Sequence, residues 1–278
     1  MISSQYTQQI NGITYKLKSA FDFSFLLKYG TVFKVFDDQD SGNICFGTDK
    51  NGERYFIKFA GAPTAEFDGD TREAICRLKQ TVPVYERLHH ENLIEYIGSE
   101  EVGGGFAMVF KWTDAQCMGR MYPESRKKFL GLHLLERVKV FGDVLHFMEY
   151  IASQGYVAID FYDGSIMYDF EKRKTVICDI DFFREIPCIN DMGRMWGSSL
   201  FQSPEEYILG AKIDEVTNVY TVGATAFALF SDFDRTGEKW PLRKEMFDIA
   251  VKAVSENRES RQQSIRQFIE AWEKALCE

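Results

Sequence analysis

The signals for secondary structure change character once along this chain, near residues 111–115. Residues 13–60 are rich in aromatic and β-branched side chains, which predict strands, and Asn51-Gly52 predicts a hairpin turn. Beyond residue 115, apolar side chains recur mainly at helical spacing. A β-rich first portion followed by a mainly helical second portion predicts an α+β fold.

Individual elements follow from the same patterns. In the first portion a helix is predicted over 71–88, with Thr71 as its cap, and Pro83 is expected to kink or split it. In the second portion a long amphipathic helix is predicted over 130–155, ended by Gly155. Two further strands are predicted at 93–98 and 106–110, and later helices at 216–231, 245–256 and 264–276.

Composition narrows the class of protein. The 278 residues suggest one large domain or two lobes. The net charge of −9 argues against nucleic acid or an anionic membrane as the main partner. The sequence has neither the roughly 20 consecutive apolar residues of a membrane span nor a signal-peptide pattern. Six cysteines without a C-x-x-C pair predict reduced thiols in a cytoplasmic protein.

Two aspartates suggest a chemistry. Asp160 and Asp179 each follow a short apolar run, and a turn-rich stretch with Gly164 lies between them. Two strands joined in this way are expected to place one carboxylate near an attacking hydroxyl and the other on a metal ion. Phosphoryl transfer needs this division of labour, because one group positions the nucleophile while another holds Mg²⁺ against the phosphates.

The order of motifs resembles that of the protein kinases over nearly the whole chain. In the first portion, RYFIKF (54–59) resembles the V-A-I-K strand, HHENLIEYIG (89–98) resembles H-x-N-[IL]-x-x-x-x-G, and MVFKWTD (108–114) resembles the hinge. In the second, AIDFYDGS (158–165) stands where H-R-D-x-x-x-x-N belongs, and VICDIDFF (176–183) where a strand runs into D-F-G. GSSLFQSPE (197–205), NVYTVG (218–223) and ENRESRQQS (256–264) resemble the later motifs in the same order.

The resemblance implies a two-lobed protein-kinase-like fold. It predicts a β-rich N-lobe over 1–110, with 71–88 as its regulatory helix, a hinge at 111–115 and a helical C-lobe over 116–278. ATP and Mg²⁺ are expected to bind between these lobes. The acceptor is expected to be a hydroxyl group of an unknown protein or small molecule.

Site residues are implied by the same resemblance. Asp160 stands at the catalytic-base position and Lys58 at the lysine that holds the phosphates. Glu73 is expected to orient Lys58, with Glu66 and Glu86 as weaker choices. The remaining nucleotide-binding positions are Gly42, Ile44, the gatekeeper Phe110, Lys111, Trp112 and Thr113. Glu205 and Arg261 are expected to form a buried ion pair with a structural role.

The motifs leave more than one choice for the metal ligands. Asp179 is the expected ligand, because VIC supplies the apolar strand before it, whereas a shifted frame makes Asp181 the ligand. Ser165 replaces the asparagine of the second metal position. Asp163 is interpreted as a turn residue or as a source of the missing oxygen.

Several positions depart from the kinase pattern. The Gly-rich loop keeps only Gly42, and the sequence DDQD (37–40) brings negative charge there. Ile159 replaces the arginine of H-R-D, which argues against control by activation-loop phosphorylation. Tyr162 replaces the lysine typical of Ser/Thr kinases. The leading hypothesis is an ATP-dependent Ser/Thr phosphotransferase, and the alternatives are a pseudokinase scaffold and a small-molecule kinase of the aminoglycoside or choline type.

Overall fold

The computed structural model describes residues 6–277 and divides into two compact units. Among these residues, the first unit is formed by 6–87 and 94–113, and the second by 88–93 and 114–277. The chain passes into the second unit for its longer part at Asp114, within the predicted break at 111–115. The fold is mixed α+β, and its sheets are antiparallel. Among residues 6–277, no helix combines the length and apolarity needed to cross a membrane.

The first unit is built on a five-stranded sheet. Its elements are β1 (Tyr6–Ile10), β2 (Ile13–Leu17), β3 (Thr31–Phe36), β4 (Asn43–Lys50), β5 (Glu53–Ala60), α1 (Thr71–Arg87), β6 (Tyr96–Val102) and β7 (Gly105–Lys111). The sheet order is β3-β4-β5-β7-β6, and β1 and β2 form a separate hairpin. Phe46 and Phe59 lie on one face of the sheet, where both rings contact Phe23 in the core of this unit.

The predicted hairpin between β4 and β5 is confirmed. Asn51 and Gly52 both have positive φ, at 58° and 87°, as a tight two-residue turn requires. The N–H of Gly52 donates to the Asp49 carboxylate at 2.9 Å, which closes the turn. This turn fixes the register in which Lys50 faces Glu53.

Helix α1 differs from the prediction at its start, and it is not split at Pro83. Asp70, not Thr71, caps the helix, because its carboxylate accepts the N–H of Arg72 at 2.8 Å. Pro83 lies inside a helix that continues to Arg87 without splitting. Tyr85 is 2 % exposed and contacts Phe110 edge-on at 4.9 Å, so packing of the last turn offsets the cost of the proline, about 3 kcal/mol.

The second unit contains small two- and three-stranded sheets and a helical layer. Its strands are β8 (Gln116–Cys117), β9 (Tyr156–Val157), β10 (Ile166–Asp169), β11 (Lys174–Ile177), β12 (Arg184–Glu185), β13 (Cys188–Ile189) and β14 (Lys212–Ile213). Its helices are α2 (Pro123–Leu130), α3 (Leu134–Ser153), α4 (Glu215–Ser231), α5 (Lys244–Ala253) and α6 (Ile265–Cys277). Helix α4 is buried along nearly its whole length and contacts α3, α5 and α6, as expected for a helix that is apolar on all sides.

The predicted single helix over 130–155 is wrong in its first turn. Gly131 ends α2, and His133 caps α3 by accepting the N–H of Leu135 at Nδ1. A histidine cap inside an apolar periodic pattern gives a weak sequence signal, so periodicity alone merged the end of α2 with α3.

The predicted ion pair between Glu205 and Arg261 is confirmed. The guanidinium of Arg261 is 2 % exposed and donates to both oxygens of Glu205, at 2.8 and 3.0 Å. Arg258 also donates to Glu205, at 2.7 Å, and to Asp214, the cap of α4, at 2.6 Å. The pair therefore joins the 203–207 segment to α4 and to the chain before α6.

Glu206, next to this pair, is a buried carboxyl group of a different kind. It is 3 % exposed, and one of its oxygens accepts both the N–H and the hydroxyl of Ser203, at 2.6 and 2.9 Å. Burial raises the pKa of Glu206 from 4.5 to about 7. The folded protein therefore retains a proton that the unfolded chain has released between these values.

The raised pKa of Glu206 predicts how the stability of the protein changes with pH. The stabilising contribution of Glu206 is complete below about pH 4.5 and is lost as the pH rises through about 7. We expect Glu206→Gln to remove this pH dependence. As the pH rises across this range, the free energy of unfolding of the wild type should therefore fall by up to about 3 kcal/mol more than that of the variant. Urea unfolding at a series of pH values measures it, with the exposed Glu245→Gln as control. Parallel profiles of wild type and Glu206→Gln would contradict the assignment.

Candidate functional site

Asp160 and Asp179 both lie in the second unit, in the left-handed backbone conformation. Asp160 follows β9 with φ of 61°, and Asp179 follows β11 with φ of 57°. Aspartate adopts this region more readily than most residues, yet it remains uncommon outside glycine. Such conformations concentrate at functional sites, where the surrounding structure holds them.

Asn218 anchors the chain before Asp160. Its side chain is fully buried, accepts the N–H of Ala158 at 2.8 Å and donates to the carbonyl of Tyr156 at 3.1 Å. Asn218 begins the NVYTVG segment in α4, so the central helix of the second unit positions the loop of Asp160. The sequence marked this segment but did not indicate the contact.

The loop that begins at Asp160 is joined to the chain that carries Asp179. The N–H of Cys178 donates to the Ser165 carbonyl at 2.9 Å, and the N–H of Ser165 donates to the Tyr162 carbonyl at 3.0 Å. Burial raises the pKa of the Tyr162 phenol, and the nearby charges of Asp179 and Asp160 raise it further. Two carboxylates and a phenol that stays protonated therefore share one site in the second unit.

Gly164 leaves room for the Tyr162 ring. A Cβ at position 164 would lie 2.2 Å from that ring, so a side chain there would force it away. The ring also contacts Phe201 edge-on at 6.4 Å, which places it against the apolar cluster of the 200–201 segment. Tyr162, which stands at the position where the kinase pattern has lysine, is thus held in place by its contacts with Gly164 and Phe201.

The other predicted metal positions differ in their surroundings. Ser165 is fully buried, and its hydroxyl accepts the N–H of Tyr162 at 3.5 Å within the turn. Asp181 is half-buried in a turn that the N–H of Phe183 closes on the Ile180 carbonyl. Asp179 lies two residues beyond the end of β11 and Asp181 four residues beyond it, and the choice between them as metal ligand stays open.

Asp163 is part of an ion pair. It is 3 % exposed and accepts a hydrogen bond from Arg126 of α2 at 2.8 Å. Burial raises the pKa of its carboxyl group, and the guanidinium opposes that rise. The turn role predicted for Asp163 therefore includes a long-range contact that its local sequence did not indicate.

Lys58 lies half-buried on β5 of the first unit, opposite Cys45 of β4 and Met108 of β7. Directly paired residues in an antiparallel sheet share a face. Ile44 belongs instead to the core cluster on the opposite face. Cys45, the next residue, shares the face of Lys58, and the place of Ile44 beside the nucleotide stays a prediction.

Glu73 lies exposed in the first turn of α1. In residues 6–277 its carboxylate forms no ion pair, so its pairing with Lys58 stays a prediction. Gly42 has φ of 83°, and a Cβ there would lie 2.8 Å from both Phe67 and Ala74. Glycine is therefore required at this position by the packing of the first unit itself.

Aromatic side chains cover the Lys58 face of the sheet. Phe56 pairs with Phe110, and Phe36 contacts both Phe56, at 5.8 Å, and Trp112, at 6.5 Å. Phe56 stands where V-A-I-K has alanine, a departure that sequence comparison alone could have found. The N–H groups of Lys111 and Trp112 donate to the carbonyls of Glu95 and Arg54, so both are used within the sheet.

The side chains available as metal ligands can be compared with those that Mg²⁺ requires. Within residues 6–277 there is no group of three or more His, Cys, Asp or Glu side chains arranged as a metal site. Mg²⁺ is commonly bound by one or two carboxylates, with water and substrate phosphates completing its coordination. Asp179 and Asp181 are carboxylates of the kind that such a site uses.

A scan against models of protein families finds no match, and a search of the curated proteins finds none either.

Proposed function

We propose that this chain is a divergent protein-kinase-like phosphotransferase that uses Mg-ATP. The observation that supports this most is the arrangement of Asp160 and Asp179. Both have left-handed backbone conformations close to short strands, and the negative charges of both carboxylates raise the pKa of the Tyr162 phenol. Two carboxylates placed in this way fit a reaction that needs one group for the nucleophile and one for the metal.

Each residue has a distinct part in this proposal. Asp160 accepts or orients the proton of the acceptor hydroxyl. Lys58 holds the phosphates as a point charge. Asp179 is the main ligand of Mg²⁺, with Asp181 beside it in sequence. When bound, Mg²⁺ supplies the charge that neutralises the phosphate oxygens.

A second candidate function is a pseudokinase that serves as a nucleotide-binding or scaffold module. Phe56 favours it, because a large ring replaces alanine on the Lys58 face and packs against Phe36. The buried hydroxyl of Ser165 favours it as well. The third candidate, a small-molecule kinase, is disfavoured by the S-P-E segment and by the Glu205–Arg261 pair.

Nucleotide binding is the first test. We expect saturating Mg-ATP to stabilise the protein, by about 2.7 kcal/mol at a hundredfold excess over Kd. The fluorescence of Trp112 should change on binding, since its ring lies on the Lys58 face beside Phe36. Trp112→Phe is the control, because it should lose the signal while calorimetry still detects Mg-ATP.

Turnover separates the candidates. Consumption of ATP with a peptide or small-molecule hydroxyl acceptor supports the phosphotransferase. Binding of Mg-ATP without turnover supports the pseudokinase. Absence of both, in a protein that circular dichroism shows to be folded, would contradict the proposal.

A further inference from the structure

Arg126 uses every hydrogen-bond donor of its side chain. A guanidinium has five N–H groups. The Nε–H and one Nη2–H donate to the Asp232 carboxylate at 3.0 and 2.7 Å, and the other Nη2–H donates to the Ala228 carbonyl at 3.1 Å. The two Nη1–H groups donate to the Met118 carbonyl at 3.0 Å and to the Asp163 carboxylate at 2.8 Å.

These contacts join three separate parts of the second unit. Arg126 lies on α2, Asp163 lies in the Asp160–Ser165 loop, and Asp232 is the left-handed residue that ends α4. Arg126 is 7 % exposed, and its guanidinium lies over the Phe233 ring at 4.6 Å. A guanidinium that makes five hydrogen bonds and stacks on an aromatic ring is held in one orientation. It therefore fixes the positions of the groups that accept its hydrogen bonds.

The loop also rests on the chain just before α2. The Sγ–H of Cys117 donates to the Gly164 carbonyl at 3.2 Å. A Cβ on Gly119 would lie 3.1 Å from the Gly164 Cα, so the two backbone segments are in close contact. Arg126 reaches both segments, because it bonds to Met118 on one side and to Asp163 on the other.

Asp163 transmits this constraint to the two aspartates. It lies between Asp160 and Ser165 in the chain, and the Ser165 carbonyl accepts the N–H of Cys178, the residue before Asp179. A shift of the loop therefore moves Asp160 directly and Asp179 through one hydrogen bond. Reaction rates depend steeply on such positions, and a misplacement of about 1 Å costs about 10²-fold.

We propose that Arg126 is a positioning residue for phosphoryl transfer, which holds the Asp160–Ser165 loop through Asp163. The inference rests on the proposed function. Ile159 replaces the arginine of H-R-D, and it is buried in an apolar cluster with Met195 and Ile213. The loop is thus set by a permanent ion pair from α2, without a contact that depends on phosphorylation.

The test compares three substitutions around the same guanidinium. Arg126→Lys keeps the charge but loses the planar set of donors, and Asp163→Asn keeps the shape but loses the charge. Asp232→Asn is the matched control, because the Asp232 side chain is 55 % exposed and binds the opposite edge of Arg126. All three should lose some stability.

The expected result is a kcat effect without a KM effect. Arg126→Lys and Asp163→Asn should lower kcat by about 10²-fold at unchanged KM for ATP, while Asp232→Asn keeps the wild-type kcat. Amide hydrogen exchange over residues 160–165 should accelerate in the first two variants and remain unchanged in the third. If Arg126→Lys does not fold, the comparison of Asp163→Asn with Asp232→Asn tests the proposal by itself.

Two outcomes would overturn the proposal. One is an equal kcat in Asp163→Asn and Asp232→Asn at matched stability, which leaves Arg126 a merely structural residue. The other is unchanged exchange of the 160–165 amides in Asp163→Asn. If wild type transfers no phosphoryl group, the proposed function fails, and the hydrogen exchange still decides whether Arg126 holds the loop.

Discussion

Replacing Asp160 with asparagine is expected to lower the rate of phosphoryl transfer by about 10²–10⁴-fold while leaving the protein folded. The rate falls because the amide cannot accept the proton of the acceptor hydroxyl. The fold survives because asparagine, like aspartate, tolerates the left-handed conformation found at φ of 61°. Steady-state turnover with Mg-ATP and thermal unfolding measure the two effects on the same preparation.

The matched control is another aspartate of the second unit. Asp248→Asn changes an exposed carboxylate on α5 that pairs with Lys244, and it should leave turnover unchanged. Full activity in Asp160→Asn would refute the assignment of the base. Equal loss in both variants would point to a general effect of charge on the protein.

Removing the guanidinium of Arg261 is expected to have the largest effect on stability. In Arg261→Met, Glu205 is left in a site where it is 4 % exposed, and it keeps two partners, Arg258 and the Thr217 hydroxyl, which donates to it at 3.0 Å. Breaking one partner of a buried pair typically costs about 3–5 kcal/mol, and Arg258 compensates the remaining charge only in part, so a loss at the lower end of that range is expected. Burial by itself raises the pKa of Glu205, and the two arginines bring it below its ordinary value.

Denaturant unfolding followed by circular dichroism measures this loss. Arg261→Lys should recover little of it, because one ammonium group cannot replace two parallel hydrogen bonds at 2.8 and 3.0 Å. Lys244→Met, which breaks an exposed pair on α5, should cost less than about 1 kcal/mol. A loss below that value in Arg261→Met would show that Glu205 is solvated or protonated in the folded protein.

The parts of the fold that the sequence predicted are those with local signals. The Asn51-Gly52 turn and the start of α4 each follow from a motif or a periodic pattern. The ion pair of Glu205 with Arg261, 56 positions apart, is an exception, because it was implied by the resemblance to the kinase motifs. The order in which strands give way to helices also follows, because local apolar spacing differs between the two classes.

The contacts that the sequence missed join residues that are distant in the chain. Arg126 and Asp163 are separated by 37 positions, and neither has a local pattern that marks it as buried. The faces of β4 also could not be predicted. A one-residue shift in a strand moves a side chain to the opposite face, and a loop with a single glycine did not fix that register.

Asn218 has a consequence for the interpretation of pH profiles. Its amide both accepts from Ala158 and donates to Tyr156, so the direction of the chain before Asp160 is specified by two bonds of opposite polarity. A carboxylate at this position would offer acceptors alone, and it would titrate. Because an amide does not change its charge with pH, this anchor keeps the same geometry in acid and in base. A pH dependence of turnover would then report the ionisation of reacting groups more directly than movement of this anchor.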